Sequence, residues 1–259
     1  MRRVLTLLVL CGGCARSLHE SPRIETVAAP PAAQPDRLLA EADAAWEHRT
    51  EPGKAAAAED LYSQAARADP KRVDAYAGAI RAKAFRIGRE KDPGERRRLA
   101  ESAVILGQLC EENAPAAPPC DYWLAAALGL QARERSATGK DALPRMTELL
   151  RRTIRSNAEL DHGGPHRLLA IVLLRAPTWP LGPGDPDAAL PEAQAAVQVD
   201  PGYAPNQLAL GEALKKKGRE AEARAAYSRA LQLALEAASR GEPDAGGWLE
   251  DARAALAIH

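Results

Sequence analysis

Aromatic residues are scarce in this 259-residue chain: one Phe, five Tyr and four Trp make up 4% of it. A core of stacked large rings is excluded, so the elements must pack through small aliphatic side chains. β-Branched residues are also sparse, which argues against a sheet protein. Net charge is missing: 35 basic residues balance 35 acidic ones. No field of one sign therefore draws the chain to nucleic acid. Long apolar runs are absent as well. Residues 4–10 are mostly apolar, but a membrane span needs about 20 such residues. Catalytic signatures are lacking: no Gly-x-Ser-x-Gly elbow, no His-Glu-x-x-His and no phosphate loop occur. Residues 181–186 are glycine-rich, yet their prolines remove the amide donors that a phosphate cradle needs. No enzyme activity and no cofactor are expected.

Ala, Leu, Glu and Arg dominate, and all favour helix. One spacing recurs. Ala58, Tyr62, Ala65 and Pro70 return as Ala189, Ala193, Ala196 and Pro201, and in part as Ala223, Tyr227 and Ala230. Ala189 and Ala223 are 34 positions apart (223 − 189). This pattern resembles the tetratricopeptide repeat, a helix–turn–helix unit of about 34 residues with small residues at the helix crossing. The expected fold is all-α: a tetratricopeptide-like helical-hairpin solenoid of about five helix pairs. The pairs fall at 37–49 and 54–68, 73–88 and 94–112, 121–137 and 141–160, 165–176 and 187–199, and 204–217 and 220–238. A last helix over 242–258 would bury Trp248, Leu249 and Leu256 and cap the stack. Residues 176–186 form an insertion long enough to suggest a functional loop.

A second resemblance rests on longer strings. Gly164-Pro165-His166-Arg167-Leu168-Leu169-Ala170, Arg175-Ala176-Pro177-Thr178-Trp179-Pro180, Gly184-Asp185-Pro186 and Asp200-Pro201-Gly202-Tyr203-Ala204-Pro205-Asn206 stand in order, preceded by Tyr122-Trp123-Leu124-Ala125. Together they resemble the T-component of TRAP transporters, over residues 121–235. Ala170 and Leu173 depart from that family, where Gly and an aromatic are usual. The resemblance implies a non-catalytic envelope binding module that works beside a periplasmic solute-binding protein. It also implies a small amphipathic ligand and assembly into homo-oligomers. The other reading is an adaptor for protein–protein interactions in an envelope or secretion assembly.

The N-terminus reads as an address. Met1-Arg2-Arg3 is basic, residues 4–10 are mostly apolar, and Leu10-Cys11-Gly12-Gly13-Cys14 follows. Gly-Gly-Cys resembles the bacterial lipoprotein box, although Cys11 stands where Leu is usual. The expected layout is a signal peptide over 1–13, a lipid-anchored flexible tether over 14–36 with Cys14 acylated, and the solenoid over 37–259. The protein would then face the periplasm from a membrane, the outer rather than the inner one. An ordinary secretory signal is the alternative.

Cys110 and Cys120 flank a helix–helix connection and would form a disulfide in an exported protein, unless their thiols face apart. His162 and His166 stand four apart, but Gly163-Gly164-Pro165 breaks the helix that a metal pair requires, so no metal site is expected. Lys and Arg clusters read as solvated helix faces. Arg167, Trp179 and Asn206 are the candidate ligand- or partner-binding residues. Arg167 and Asn206 begin first helices of consecutive pairs, and Trp179 would close over them as a lid. Each has a plainer role available: Trp179 plugging the stack, Arg167 and Asn206 bracing it.

Overall fold

The computed structural model describes residues 33–257. Cys14, the 1–13 signal peptide and most of the 14–36 tether lie outside the described residues. Among the described residues there are eleven α-helices: α1 (Ala33–Glu47), α2 (Lys54–Ala68), α3 (Val73–Ile87), α4 (Pro93–Asn113), α5 (Pro118–Glu134), α6 (Gly139–Asn157), α7 (Leu160–Arg175), α8 (Pro186–Val199), α9 (Ala204–Lys216), α10 (Glu220–Ser239) and α11 (Ala245–Ala257). None is long and apolar enough to cross a membrane.

The helix ends follow from local chemistry. Asp92 accepts hydrogen bonds from the N–H groups of Gly94 and Glu95, and Asp185 from those of Asp187 and Ala188. Each carboxylate satisfies amides that no helical carbonyl can reach. Pro93 and Pro186 come next, at the first helical position, where proline has no amide to waste. Helix α1 already includes residues 33–36, which the sequence assigns to the tether. Pro35 tolerates this because it sits in the first turn, and burial of Leu38 and Leu39 holds that turn against the stack.

Each helix packs on its successor, and the odd-numbered helices also pack on one another: α3 on α5, α5 on α7, α7 on α9 and α9 on α11. The even-numbered helices form no such layer. The odd helices therefore line the inner, concave wall and the even helices the outer one, as in a helical-hairpin solenoid. The recurring residues explain the close approach. Ala58, Ala65, Ala189, Ala193, Ala196, Ala223 and Ala230 have no exposed surface. The Tyr62 ring lies on Gly78, and the Tyr227 ring on Gly211. A methyl group added to those glycines would stand 2.6 and 2.4 Å from the rings, far inside contact distance. Ring against bare backbone is how a chain poor in aromatics fills its crossings.

Helix α11 covers the open end. Trp248 and Leu249 pack on Ala204, Leu233 and Ala234, and Leu256 on Leu214, Ala226 and Tyr227. At the other side of the second pair a disulfide joins Cys110, in the last turn of α4, to Cys120, in the first turn of α5. Their Cα atoms are 5.4 Å apart.

Candidate interaction site

Helix α7 begins with a sharp change of direction. Asp161, His162 and Gly163 adopt left-handed φ values of 51°, 59° and 78°. Asp and His tolerate this region better than most residues. The turn aims the Asp161 carboxylate inward, where it accepts hydrogen bonds from the Tyr122 hydroxyl and from Arg167 Nη2 at 2.8 Å. Arg167 Nη1 donates to Asn206 Oδ1 at 2.9 Å and to the Asp161 carbonyl at 3.2 Å. Asn206, on α9, donates through Nδ2 to the carbonyls of His162, Ala196 and Asp200 at 2.9–3.0 Å. The guanidinium also lies over the Tyr203 ring, 5.0 Å from its centre. Burial pushes both phenols up, Tyr203 to about 12, with Arg167 acting against that rise. Both phenols therefore stay protonated, and Tyr122 remains a donor to Asp161.

The structure thus brings Arg167 and Asn206 together and leaves Trp179 apart. The expected lid does not form. Arg167 sits in the first turns of α7, whereas the insertion follows its far end. The eight-residue step from Arg167 to Arg175 rises about 12 Å. Trp179 is 85% exposed and plugs nothing, and Leu181 beside it is also exposed. The loop that carries them is ordered from within. Gly184 N–H bonds the Pro177 carbonyl and Asp185 N–H the Leu173 carbonyl, both at 2.9 Å. Gly184 is required here, since a side chain would run into the Ala176 carbonyl, 2.2 Å from an ideal Cβ. His162 and His166 diverge: one pairs with Asp200 at 2.7 Å, the other with Glu192 at 2.6 Å.

Two clefts open near this wall. One, of about 240 Å³, is lined by Asp43, Asp74, Arg81 and Trp123, with Tyr62 among them. Apart from Tyr62 of α2, these residues come from α1, α3 and α5, so the cleft belongs to the inner face. The other, of about 380 Å³, lies among His162, Asp200, Tyr203, Glu242 and Trp248. There the His162 ring stacks on Tyr203 with centres 4.4 Å apart, and Trp248 meets Tyr203 edge-on at 5.2 Å.

A feature not foreseen from the sequence joins the two ends of the stack. Arg49, just past α1, reaches across to the connection between α10 and α11. Its Nη2 donates to Glu242 at 2.9 Å and to Asp244 at 3.0 Å. Its guanidinium lies 4.5 Å from the centre of the Trp46 ring. Arg89 sits 3.5 Å from the centre of Phe85 and 3.8 Å from the Asp244 carboxylate. Trp46 and Phe85 meet edge-on at 5.6 Å. The signal was available: Trp46 with Arg49, and Phe85 with Arg89, repeat an aromatic–arginine pair at the ends of the first two inner helices.

This architecture places the protein among helical-hairpin repeat proteins. The similarity lies with solved structures: no family model matches the chain, and no curated protein matches it. It is similar to TTC0263, a thermophilic TPR (tetratricopeptide-repeat) protein of Thermus thermophilus, with 20% identity and a TM-score of 0.61 over 86% of this chain and 98% of that one. It is also similar to a MamA protein (17% identity, TM-score 0.49, 80% and 95% covered). A third likeness is to YrrB, a TPR protein described as having an unusual peptide-binding site (18%, 0.45, 76% and 84%). The first of these shows the tetratricopeptide-like fold.

Proposed function

We propose that this chain is a non-catalytic interaction adaptor of the bacterial cell envelope that holds a segment of a protein partner against the inner wall of its helical stack. The inner wall carries this reading: the first three odd-numbered helices set Asp43, Asp74, Arg81 and Trp123 around one open cleft. Clefts lined by carboxylates, guanidinium and indole suit a peptide with mixed side chains better than a small apolar ligand, which prefers an enclosed apolar pocket. Trp179 is the second contact, since an exposed indole on an ordered loop is a strong anchor. The disulfide fits an oxidising compartment. Cys14 carries the lipid that holds the protein to the membrane, a reading supported by the Gly-Gly-Cys box.

A photo-cross-linking residue placed at Ala77, on the inner cleft, should capture a partner from intact envelope. The same residue at Arg151 or Arg229, on outer helices, should not. Equal capture from both faces would overturn the reading. Trp179→Ala should weaken capture without moving the melting temperature. Cys14→Ser should release the protein from the membrane fraction and end acyl labelling; an acylated, membrane-bound variant would remove the anchor.

The resemblance over 121–235 favours a second reading, a T-component beside a periplasmic solute-binding protein, with a small amphipathic ligand and a homo-oligomeric assembly. A solute-binding protein as the cross-linked species would select it.

A further inference from the structure

Arg49 is an unusual residue to bury. Its side chain is only 10% exposed, and its Nε has no hydrogen-bond partner. A guanidinium so placed needs carboxylates, because an uncompensated buried charge is strongly destabilising. The carboxylates come from Glu242 and Asp244, nearly two hundred positions away. Neither acid is deeply buried: their side chains keep 38% and 33% exposure. Arg49 is therefore fixed and enclosed, held by Trp46 and Phe85, while its acids sit on a half-buried turn. That asymmetry is what a receptor surface and a detachable guest look like.

We propose that the ledge formed by Trp46, Arg49, Phe85 and Arg89 is a docking surface for an acidic peptide segment of a protein partner, and that the chain's own Glu242-Pro243-Asp244 occupies it in the resting state. The inference rests on the adaptor reading and names the chemistry of the partner. Two guanidinium groups on aromatic faces favour carboxylates over any other common side chain. The chain's own turn shows the mode of occupancy, one residue on either side of a proline. Because Glu242 also lines the cleft of His162 and Trp248, and Asp244 stands directly before α11, displacement of the turn would loosen the cap as the partner docks.

The probe is a fluorescein-labelled synthetic peptide of three Glu-Pro-Asp repeats, followed by anisotropy. The double variant Glu242→Gln, Asp244→Asn frees the ledge and should bind the peptide at least about tenfold more tightly than the native chain, a gain of about 1.4 kcal/mol. Adding Arg49→Gln and Arg89→Gln should abolish binding, and salt should weaken it. Thermal melts establish that each variant folds. A native-protein arm does not depend on any variant: excess peptide should accelerate amide exchange over residues 242–248. Equal affinity of native and freed protein, binding that ignores Arg49 and Arg89, or bound peptide with unchanged exchange over 242–248 would each overturn the proposal. The inner-face cross-links judge the adaptor reading separately. If they persist while the peptide ignores the ledge, only the docking proposal falls.

Discussion

Asn206 has no exposed surface, and its two amide hydrogens are shared among three main-chain carbonyls. It ties the end of α8, the turn that opens α7 and the start of α9 into one joint, and Arg167 closes the joint from the fourth pair. Nearly every polar contact of Arg167 lies inside the fold. A bracing role predicts that Asn206→Ala costs about 2 kcal/mol, because buried carbonyls lose their donor. The melting temperature should then fall by roughly 4–8 °C. Arg167→Ala should do at least as much, since it leaves the Asp161 carboxylate without its cation and Asn206 Oδ1 without its donor. Paired thermal melts and partner-capture titrations decide the matter. Unchanged stability with lost capture would return both residues to a direct binding role.

At the scale of helices, the glycines under the tyrosine rings set the spacing of the pairs. Gly211→Ala and Gly78→Ala would drive a methyl group into Tyr227 and Tyr62. Overpacking of this kind costs about 1–3 kcal/mol. A urea titration should show the lower midpoint, and Gly218→Ala does not serve as a control because that residue has a left-handed φ of 71°. The α4–α5 connection carries the other element-level prediction. Its disulfide closes a loop of 10 residues, so reduction should remove roughly 2–3 kcal/mol and lower the melting temperature by several degrees. Two alkylatable thiols in freshly isolated protein would contradict the bond.

For the whole molecule, stability is a sum over neighbouring hairpins, and an uncovered end is the weak point. Helix α11 supplies that cover with Trp248, Leu249 and Leu256. Truncation after Ser239 should cost roughly 3 kcal/mol or more in lost apolar burial. It should also expose Ala204, Leu233 and Ala234, giving an aggregation-prone chain. Size-exclusion chromatography of the truncated and native proteins reads this directly. A monomer of unchanged stability would mean that α11 is dispensable. The same truncation removes Glu242 and Asp244, leaving Arg49 without acids.

The sequence by itself determined the repeat. Alanines at +4 and +3, an aromatic between them and Pro–Gly punctuation specify helix pairs because only small residues let helices cross so closely, and these signals lie within one repeat. The helix layout, the capping helix and the inserted loop were all legible for that reason. Tertiary structure alone decided what touches across repeats. It set Arg167 on Asn206 and Asp161 rather than under Trp179, because helix length puts the insertion at the far end of α7. It also brought Arg49 to Glu242 and Asp244, since the curvature that closes the stack accumulates from small rotations at every pair, and no local spacing records their sum.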